Sequence, residues 1–243
     1  MRHYFVNREK EESEFFSFKE AVLGDEYLIN SCNDIFSKSK IDYGTVLLLE
    51  TFIEQFKNLN SANATNVSCE TFSRGQSSKG LKESSNKDVA GSCVNNTKEK
   101  TNQLNILDMG CGYGIISMVL NKHLGCKITA ADINTTALEL TNKNLLSNGF
   151  NLERFALLES NLYSNINNKY NHIVTNPPIK VGKEILFGLV SGAPDALVEG
   201  GTITLVIRKD AGMESLKKHM QNTFGNCQIL KRHKGYFILQ SVK

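Results

Sequence analysis

The chain has 243 residues, of which 40% are hydrophobic and 22% are charged, with a formal net charge of +3 and no Trp. That length suits one α/β domain with an appendage, or two small domains. Gly and Pro show no period and the six Cys are sparse, which excludes fibrous and disulfide-framework classes. The apolar runs fall far short of the ~20 residues of a membrane span, and residues 1–16 resemble neither a secretory nor a transit peptide. We therefore expect a cytoplasmic protein without a membrane partner.

The charge is unevenly distributed along the chain. Residues 1–57 carry a net charge of −4, residues 58–103 of +2, residues 104–200 of −1 and residues 201–243 of +6. A basic block beside a catalytic core suits a polyanionic partner such as RNA. From charge alone, a solvated lysine-bearing face is the favoured explanation of the same block.

Residues 58–103 differ in composition from the rest of the chain. Twenty of these 46 residues are Asn, Ser or Thr, and Phe72 is their only aromatic residue. Such a segment cannot bury enough apolar surface to offset the entropy lost on ordering, so it is predicted to be a disordered insertion. The chain is thereby divided into an N-terminal extension (1–57), an insertion (58–103) and a C-terminal domain (104–243).

From Leu104 onward, short β-branched runs alternate with amphipathic stretches. Strands are predicted over Asn105–Met109, Lys127–Ile133, Phe155–Glu159, His172–Thr175, Thr202–Ile207, Gln228–Leu230 and Tyr236–Gln240. Helices are predicted over Ile115–Leu124, Thr135–Leu146, Lys183–Leu197 and Met213–Phe224. This alternation predicts an α/β fold with a parallel sheet covered on both faces, to which the last hairpin adds an antiparallel strand.

A glycine-rich loop, Asp108-Met109-Gly110-Cys111-Gly112-Tyr113-Gly114, joins the first of these strands to a helix. Glycines allow a tight turn and the close approach of a ligand, and the helix N-terminus offers free N–H groups. Asp108 stands two residues before the first Gly, where a carboxylate can receive an amino group. Asp132 ends the next strand, where it can bind both hydroxyls of a ribose.

A dinucleotide is a poor match for this loop. An Asp at the loop entrance would repel a phosphate, and Gly114 comes one residue too early for the Gly-x-Gly-x-x-Gly pattern. A ligand with a ribose and a cationic amino-acid tail, but no phosphate, suits the loop better. S-adenosylmethionine is such a ligand, and it is the predicted cofactor.

The tetrapeptide Asn176-Pro177-Pro178-Ile179 follows the fourth predicted strand. The prolines stiffen the turn and have no N–H, which leaves the Asn176 amide and the Pro177 carbonyl to accept hydrogen bonds. Two such acceptors can hold the hydrogens of a planar amino group and aim its nitrogen at an electrophile, without a strong base. The tetrapeptide is therefore predicted to be catalytic.

Taken together, these motifs resemble class I S-adenosylmethionine-dependent methyltransferases. Within that class the chain is similar to the small-domain family of ribosomal-RNA guanine-N2 methyltransferases and their single-domain archaeal and bacterial relatives. The matching stretches are Leu107–Gly114, Ala131–Asn134, Thr175–Leu186, Phe224–Asn226, Lys234–Tyr236, His3–Phe5 and Phe36–Leu49. The resemblance covers residues 1–57 and 104–243. It implies a Rossmann-like seven-stranded sheet with one antiparallel strand, and a small β-rich N-terminal extension packed beside the cofactor.

The resemblance also implies roles for individual residues. The cofactor-binding residues would be Thr45, Asp108, Gly110, Cys111, Gly112, Gly114, Asp132, Ile133, Asn161 and Asn176. Asn161 replaces an Asp that in the family usually binds the adenine amino group, and its carbonyl oxygen can still accept that bond. The catalytic residues would be Asn176, Pro177, Pro178 and Ile179, where Ile179 replaces the aromatic ring of many enzymes that act on adenine or on glutamine amides.

The expected activity is methylation of the exocyclic N2 amine of a guanine in ribosomal RNA, with the RNA bound through the basic C-terminal segment. Methylation of adenine N6 or of a protein glutamine amide is the alternative among enzymes. An inactive cofactor-binding or RNA-binding scaffold is the alternative from another class. No metal site is predicted, because the scattered Cys and His form no Cys-x-x-Cys or close His pair.

Overall fold

The structure is a computed structural model that describes residues 14–33, 35, 40–67, 103–178 and 182–243, with the backbone alone for 59–67. Its strands are β1 (Phe15–Val22), β2 (Asp25–Cys32), β3 (Asn105–Met109), β4 (Lys127–Asp132), β5 (Phe155–Glu159), β6 (Tyr170–Thr175), β7 (Leu197–Arg208), β8 (Gln228–His233) and β9 (Tyr236–Val242). Its helices are α1 (Tyr43–Val67), α2 (Ile115–Leu124), α3 (Thr135–Ser147), α4 (Lys183–Ser191), α5 (Ala193–Ala196) and α6 (Met213–Phe224). Among the described residues, no helix combines the length and the apolar character that crossing a membrane requires.

Seven of the described strands form one sheet, in the order β5-β4-β3-β6-β7-β9-β8. The first five strands in this order are parallel, and β9 runs antiparallel to β7 and to β8. The strand order reverses at β3, which lies between β4 and β6. Ligands of such sheets bind outside the carboxyl ends of the strands at this reversal. The predicted α/β sheet with one antiparallel strand is confirmed.

The predicted helix over Lys183–Leu197 is wrong in its continuity, because two residues interrupt it. Gly192 ends α4, and a Cβ at that position would stand 2.3 Å from the ring of Tyr163. Pro194 lies in the first turn of α5, where its missing N–H costs nothing. A close approach between helix and loop therefore divides the helix, and the local apolar pattern does not reveal it.

The N-terminal extension consists of the β1–β2 hairpin followed by α1. Helix α1 continues past Lys57 to Val67, so the predicted boundary at residue 58 lies inside a helix. The apolar face of α1 is buried against the domain, and this burial stabilises the first turns of the helix. Each further residue then adds one backbone hydrogen bond without a new nucleation cost. The remainder of the predicted insertion, 68–102, lies outside the described residues, as do the matching stretch His3–Phe5 and positions 34 and 36–39.

Two asparagines, Asn144 on α3 and Asn148 at its C-cap, attach the hairpin to the C-terminal domain. Asn144 accepts a hydrogen bond from the backbone N–H of Asn30 at 2.7 Å and donates to the Asn30 carbonyl at 3.0 Å. Asn148 pairs in the same way with Leu28, at 2.9 and 2.8 Å. Because they are four residues apart, the two side chains share one face of α3 and pair with β2 as a neighbouring strand would. The extension and the domain also share one hydrophobic core, so they form one folded unit.

Candidate active site

A large pocket opens at the carboxyl ends of β3, β4 and β6, where the strand order reverses. Its atom-free space is about 1200 Å³, including the side that is open to solvent. The predicted site residues that line it are Thr45, Gly110, Cys111, Gly112, Asp132, Ile133, Asn161, Asn176, Pro177 and Pro178. The fold thus brings residues from five separate stretches of the chain into one cavity.

Asp132 ends β4, and its carboxylate holds the backbone on two sides. Its Oδ2 accepts the N–H of Gly112 at 3.0 Å and its Oδ1 accepts the N–H of Asn134 at 2.9 Å. Burial raises the pKa of this carboxyl above its ordinary value, although the backbone N–H groups oppose the shift. Each oxygen retains acceptor capacity. The carboxylate can therefore bind two neighbouring hydroxyls, such as those of a ribose, next to the apolar side chain of Ile133.

The glycines of the loop have two different roles, lining the pocket and packing against α3. Gly110 and Gly112 line the pocket with positive φ angles of 75° and 57°, a conformation that favours glycine. Gly114 also has a positive φ, but it lies outside the pocket lining, and a Cβ there would stand 2.7 Å from Thr141 of α3. Thr141 in turn donates to the Gly112 carbonyl at 3.0 Å. Gly114, which was predicted to bind cofactor, thus lets the loop pack closely against α3.

Asp108 is fully buried beneath the loop and does not line the pocket. Its Oδ2 accepts the backbone N–H of Ser117 at 3.0 Å and the Ser117 hydroxyl at 2.6 Å. Its Oδ1 has no hydrogen-bond partner in the described part of the chain. Burial raises the pKa of Asp108 to about 7, and the nearby charge of Asp132 adds to the shift. In this arrangement Asp108 supports the first turn of α2 beneath the loop, and its direct contact with a cofactor stays a prediction.

Asn176 lies directly after β6, and the extension orients its side-chain amide. Its Nδ2 donates to Thr45 Oγ1 at 2.7 Å and to Asp42 Oδ2 at 3.2 Å. The opposite assignment of the amide would point its oxygen at a carboxylate, so this orientation is electrostatically favoured. The amide oxygen is left to accept a hydrogen bond from a ligand. Ile179, predicted to complete the catalytic tetrapeptide, lies outside the described residues, which resume at 182.

The start of α1 contributes side chains that were not among the predicted site residues. Asp42 borders the pocket, and Gly44 explains how it comes there. A Cβ at Gly44 would lie 2.7 Å from Asp42 Oδ2 and 2.8 Å from Cε1 of Tyr236. Only glycine allows the first turn of α1 to approach β9 this closely. The family resemblance around residues 42–45 is the signal in the sequence that could have identified Asp42.

The basic C-terminal segment brings its cations to the same end of the sheet. Arg208 ends β7 and pairs in register with Tyr236, and the N–H of Lys209 donates to the Gly235 carbonyl at 2.9 Å. Lys234 lies over the ring of Tyr43, with its Nζ 5.3 Å from the ring centroid. The exposed cations of this basic rim are Arg208, Lys209, Lys231, Arg232 and Lys234. Arg208 and Lys209 lie at the carboxyl end of β7 and Lys234 in the adjacent β8–β9 turn, whereas Lys231 and Arg232 lie on the edge strand β8.

The family model for the methyltransferase small domain matches residues 84–240. This match spans well over half of the chain, and it includes the glycine loop, Asp132 and the Asn176 turn. The chain belongs to the methyltransferase small domain family.

Individual relatives match over different lengths. The uncharacterized protein YbxB of Bacillus subtilis is 25% identical over 244 residues, which cover 99% of this chain and 98% of that protein. The ribosomal RNA small subunit methyltransferase C of Aeromonas hydrophila is 39% identical over 109 residues, 43% of this chain and 31% of that protein. The protein of the same name from Colwellia psychrerythraea is 25% identical over 93% of this chain and 50% of its own length. The chain thus spans half or less of these two rRNA methyltransferases.

Solved structures show the same fold. The T. thermophilus 16S rRNA N2 G1207 methyltransferase (RsmC), in complex with AdoMet and guanosine, matches with a TM-score of 0.68 and 22% identity, over 94% of this chain and 50% of that chain. A methyltransferase from Pyrococcus furiosus matches with a TM-score of 0.53 and 22% identity, over 58% of this chain and 75% of that chain. Both likenesses concern the architecture, including the seven-stranded sheet.

Proposed function

We propose that this protein transfers the methyl group of S-adenosylmethionine to the exocyclic N2 amine of a guanine in ribosomal RNA. The observation that carries the proposal is the amide of Asn176, which is fixed by Thr45 and Asp42 so that its oxygen can accept a hydrogen bond at the edge of the pocket. The names of the rRNA methyltransferase relatives support the RNA substrate. The complex of the T. thermophilus enzyme with AdoMet and guanosine supports both ligand classes.

The residues of the pocket suit S-adenosylmethionine. Asp132 would bind the ribose hydroxyls, Ile133 would lie against the adenine, and the exposed Asn161 would accept from the adenine amino group through its side-chain oxygen. The absence of side chains at Gly110 and Gly112 lets the amino-acid portion approach the backbone. When bound, the cofactor supplies an electrophilic methyl group on a sulfonium centre.

The chain itself contributes positioning rather than a strong base. Asn176 Oδ1 and the Pro177 carbonyl oxygen would accept the two N–H groups of a planar amine and hold its nitrogen toward the pocket. The neighbouring prolines and Leu186 are apolar and remove water from the amine. The proton leaves after transfer, because the alkylated amine is far more acidic than the neutral one. Asn176 is therefore the catalytic residue on which this account depends.

RNA would reach the site along the basic rim. All five rim cations are exposed, and Arg208 borders the cleft next to the Asn176 turn, so the rim could neutralise phosphates while a base enters the site. The rim holds five of the eight cations of residues 201–243, whereas Lys243 lies at the other end of β7, where it donates to the Leu197 carbonyl. The position of the rim supports RNA contact as the role of its five cations.

Transfer of a tritiated methyl group from S-adenosylmethionine to unmodified rRNA tests the proposal, with Asn176→Ala as the paired variant. Wild type is expected to label the RNA, and Asn176→Ala is expected to lose most of the label while it still binds the cofactor. Equal transfer by both proteins would refute the role of Asn176. Cofactor binding without transfer would indicate an inactive scaffold, and label in ribosomal protein rather than RNA would indicate a glutamine amide as the substrate.

A further inference from the structure

A second, narrower cleft lies on the other side of the Asn176 turn from the cofactor pocket. Its space is about 330 Å³ with its open side included, and it shares Asp42 and Asn176–Pro178 with the larger pocket. We propose that the target guanine binds at the Asn176 turn, where the cleft and the larger pocket meet, and that Asp42 selects guanine by accepting its N1–H. The inference rests on the proposed function and adds the residue that chooses the base.

The carboxylate of Asp42 has one oxygen engaged and the other nearly free. Its Oδ2 accepts from Asn176 Nδ2 at 3.2 Å and from the N–H of Thr45 at 3.3 Å. Its Oδ1 is 3.5 Å from the hydroxyl of Tyr236, the outer limit of a hydrogen bond. A carboxylate has about four acceptor sites, so Oδ1 can take a donor from a ligand. Asp42 is partly buried, and such a bond is stronger there than in water.

The chemistry of the two purines makes this position selective. Guanine carries its N1–H next to its N2 amino group on the Watson–Crick edge, which is the edge read in extruded bases. With the N2 amine on Asn176 Oδ1, the neighbouring N1–H would face Asp42. Adenine presents an unprotonated N1 beside its amino group, and that lone pair would face a carboxylate. A site built for a donor rejects the analogue that lacks it, because a buried acceptor is then left unpaired.

Apolar and aromatic groups border the Asn176 turn on the side of the cleft. Leu186 and Val206 are apolar, and the guanidinium carbon of Arg208 is 5.9 Å from the ring centroid of Tyr236. Unstacked RNA bases commonly lie against aromatic rings and Arg guanidinium planes. Arg208 pairs with Asp210 at 2.7 Å, so in the shallow surface that these two residues line with Lys209, Lys209 is the cation left to meet a backbone phosphate.

Four nucleosides test the selection, measured by calorimetry and ligand-observed NMR with S-adenosylhomocysteine present. Guanosine and inosine carry an N1–H, whereas 2-aminopurine riboside and adenosine do not. Wild type is expected to bind guanosine about 10- to 100-fold more tightly than 2-aminopurine riboside, the range for a hydrogen bond to a charged group. Asp42→Asn is expected to lose this preference. Thr45→Val is the matched control, because it removes the other partner of Asn176 and should keep the preference.

The same variants in steady-state RNA methylation separate selection from simple positioning. Asp42→Asn is expected to raise KM for RNA about tenfold or more, whereas Thr45→Val should lower kcat and leave KM unchanged. Identical effects of the two variants on kcat and KM, or an unchanged nucleoside preference in Asp42→Asn, would overturn the inference. If either of these results is found while the wild-type product is N2-methylguanosine, the role of Asp42 is refuted and the proposed function stands. A product methylated on adenine would remove the proposed function together with it.

Discussion

The side-chain amide of Asn176 donates to the hydroxyl of Thr45 at 2.7 Å, across 131 positions of sequence. Thr45 lies in the first turn of a helix that precedes the sheet, whereas Asn176 follows the fourth strand of the parallel series. The N-terminal extension therefore fixes the orientation of the amide for which we propose a catalytic role. The extension and the domain act as one unit at the active site as well as in the core.

Substitution of Thr45 by Val tests this dependence, because Val keeps the shape and removes the hydroxyl. We expect kcat for methyl transfer to fall about 5- to 10-fold, the value of one hydrogen bond. Affinity for S-adenosylhomocysteine should stay within a factor of two. Thr45→Ser, which retains the hydroxyl, is the control and should remain near wild type. Equal rates for the Val and Ser variants would show that the Asn176 amide needs no such partner.

Asp132→Ala tests the cofactor site. The variant should weaken binding of S-adenosylmethionine by roughly 1.5–3 kcal/mol, because hydrogen bonds to a charged carboxylate are lost. Glu159→Ala provides the matched control, since Glu159 pairs in register with Asp132 on the adjacent strand and does not line the pocket. Calorimetry on both variants separates loss of a contact from loss of charge. Unchanged affinity in Asp132→Ala would contradict its assignment to the ribose.

The buried Asp108 should make stability depend on pH. Its folded pKa of about 7 is above the value of about 4 in an unfolded chain, so between these values the folded protein holds more protons. The contribution of Asp108 to stability is therefore expected to fall as pH rises from about 4 to about 7, by on the order of 2–4 kcal/mol. The raised pKa of Asp132 acts in the same direction, whereas burial lowers the pKa of His172 to about 4 and makes its contribution rise with pH. Asp108→Asn should therefore shift the slope of unfolding free energy against pH to a more positive value than in wild type. Urea unfolding at several pH values measures the dependence of the unfolding free energy on pH. Equal slopes for wild type and Asp108→Asn would contradict the raised pKa of Asp108.

The basic rim is tested by its salt dependence. Removing Lys231 and Arg232 together should lower RNA affinity and reduce the slope of log K against log salt concentration by about 1.5, since each phosphate contact contributes 0.7–0.9. Lys127→Ala with Lys143→Ala removes two exposed charges elsewhere on the surface and is the control. A slope that changes equally in both double variants would assign the effect to net charge rather than to the rim.

The sequence predicts most of what is local in this fold. Asn105–Met109, Phe155–Glu159 and two helices have the bounds that their hydrophobic periodicity predicts, because each is a short element flanked by glycine or polar residues. The division of α4 from α5 falls at Gly192 and Pro194: the proline is a local signal that the apolar pattern outweighed, whereas the fit of Gly192 against the ring of Tyr163 appears only in the folded chain. The full length of α1 was missed because a polar composition was given more weight than the continuation of a buried helix.

The candidate site likewise depends on packing that the sequence pattern does not contain. The spacing of Asp132 behind the glycine loop correctly predicts a residue that lines the pocket. Asp108 and Gly114 belong to the same motif but support the loop from below, since a motif fixes the order of residues and not the face that each one presents. The family resemblance places the stretch around Asp42 near the cofactor, but its contact with Asn176 follows from the packing of α1 against β9, where Gly44 allows the close approach.

The base that carries the methyl group is the most direct test of the proposed activity. RNA labelled by the wild-type protein is digested to nucleosides and separated by chromatography with mass detection, with RNA from the Asn176→Ala reaction as the blank. We expect the label in N2-methylguanosine and none above the blank in other nucleosides. Label in N6-methyladenosine would contradict the account.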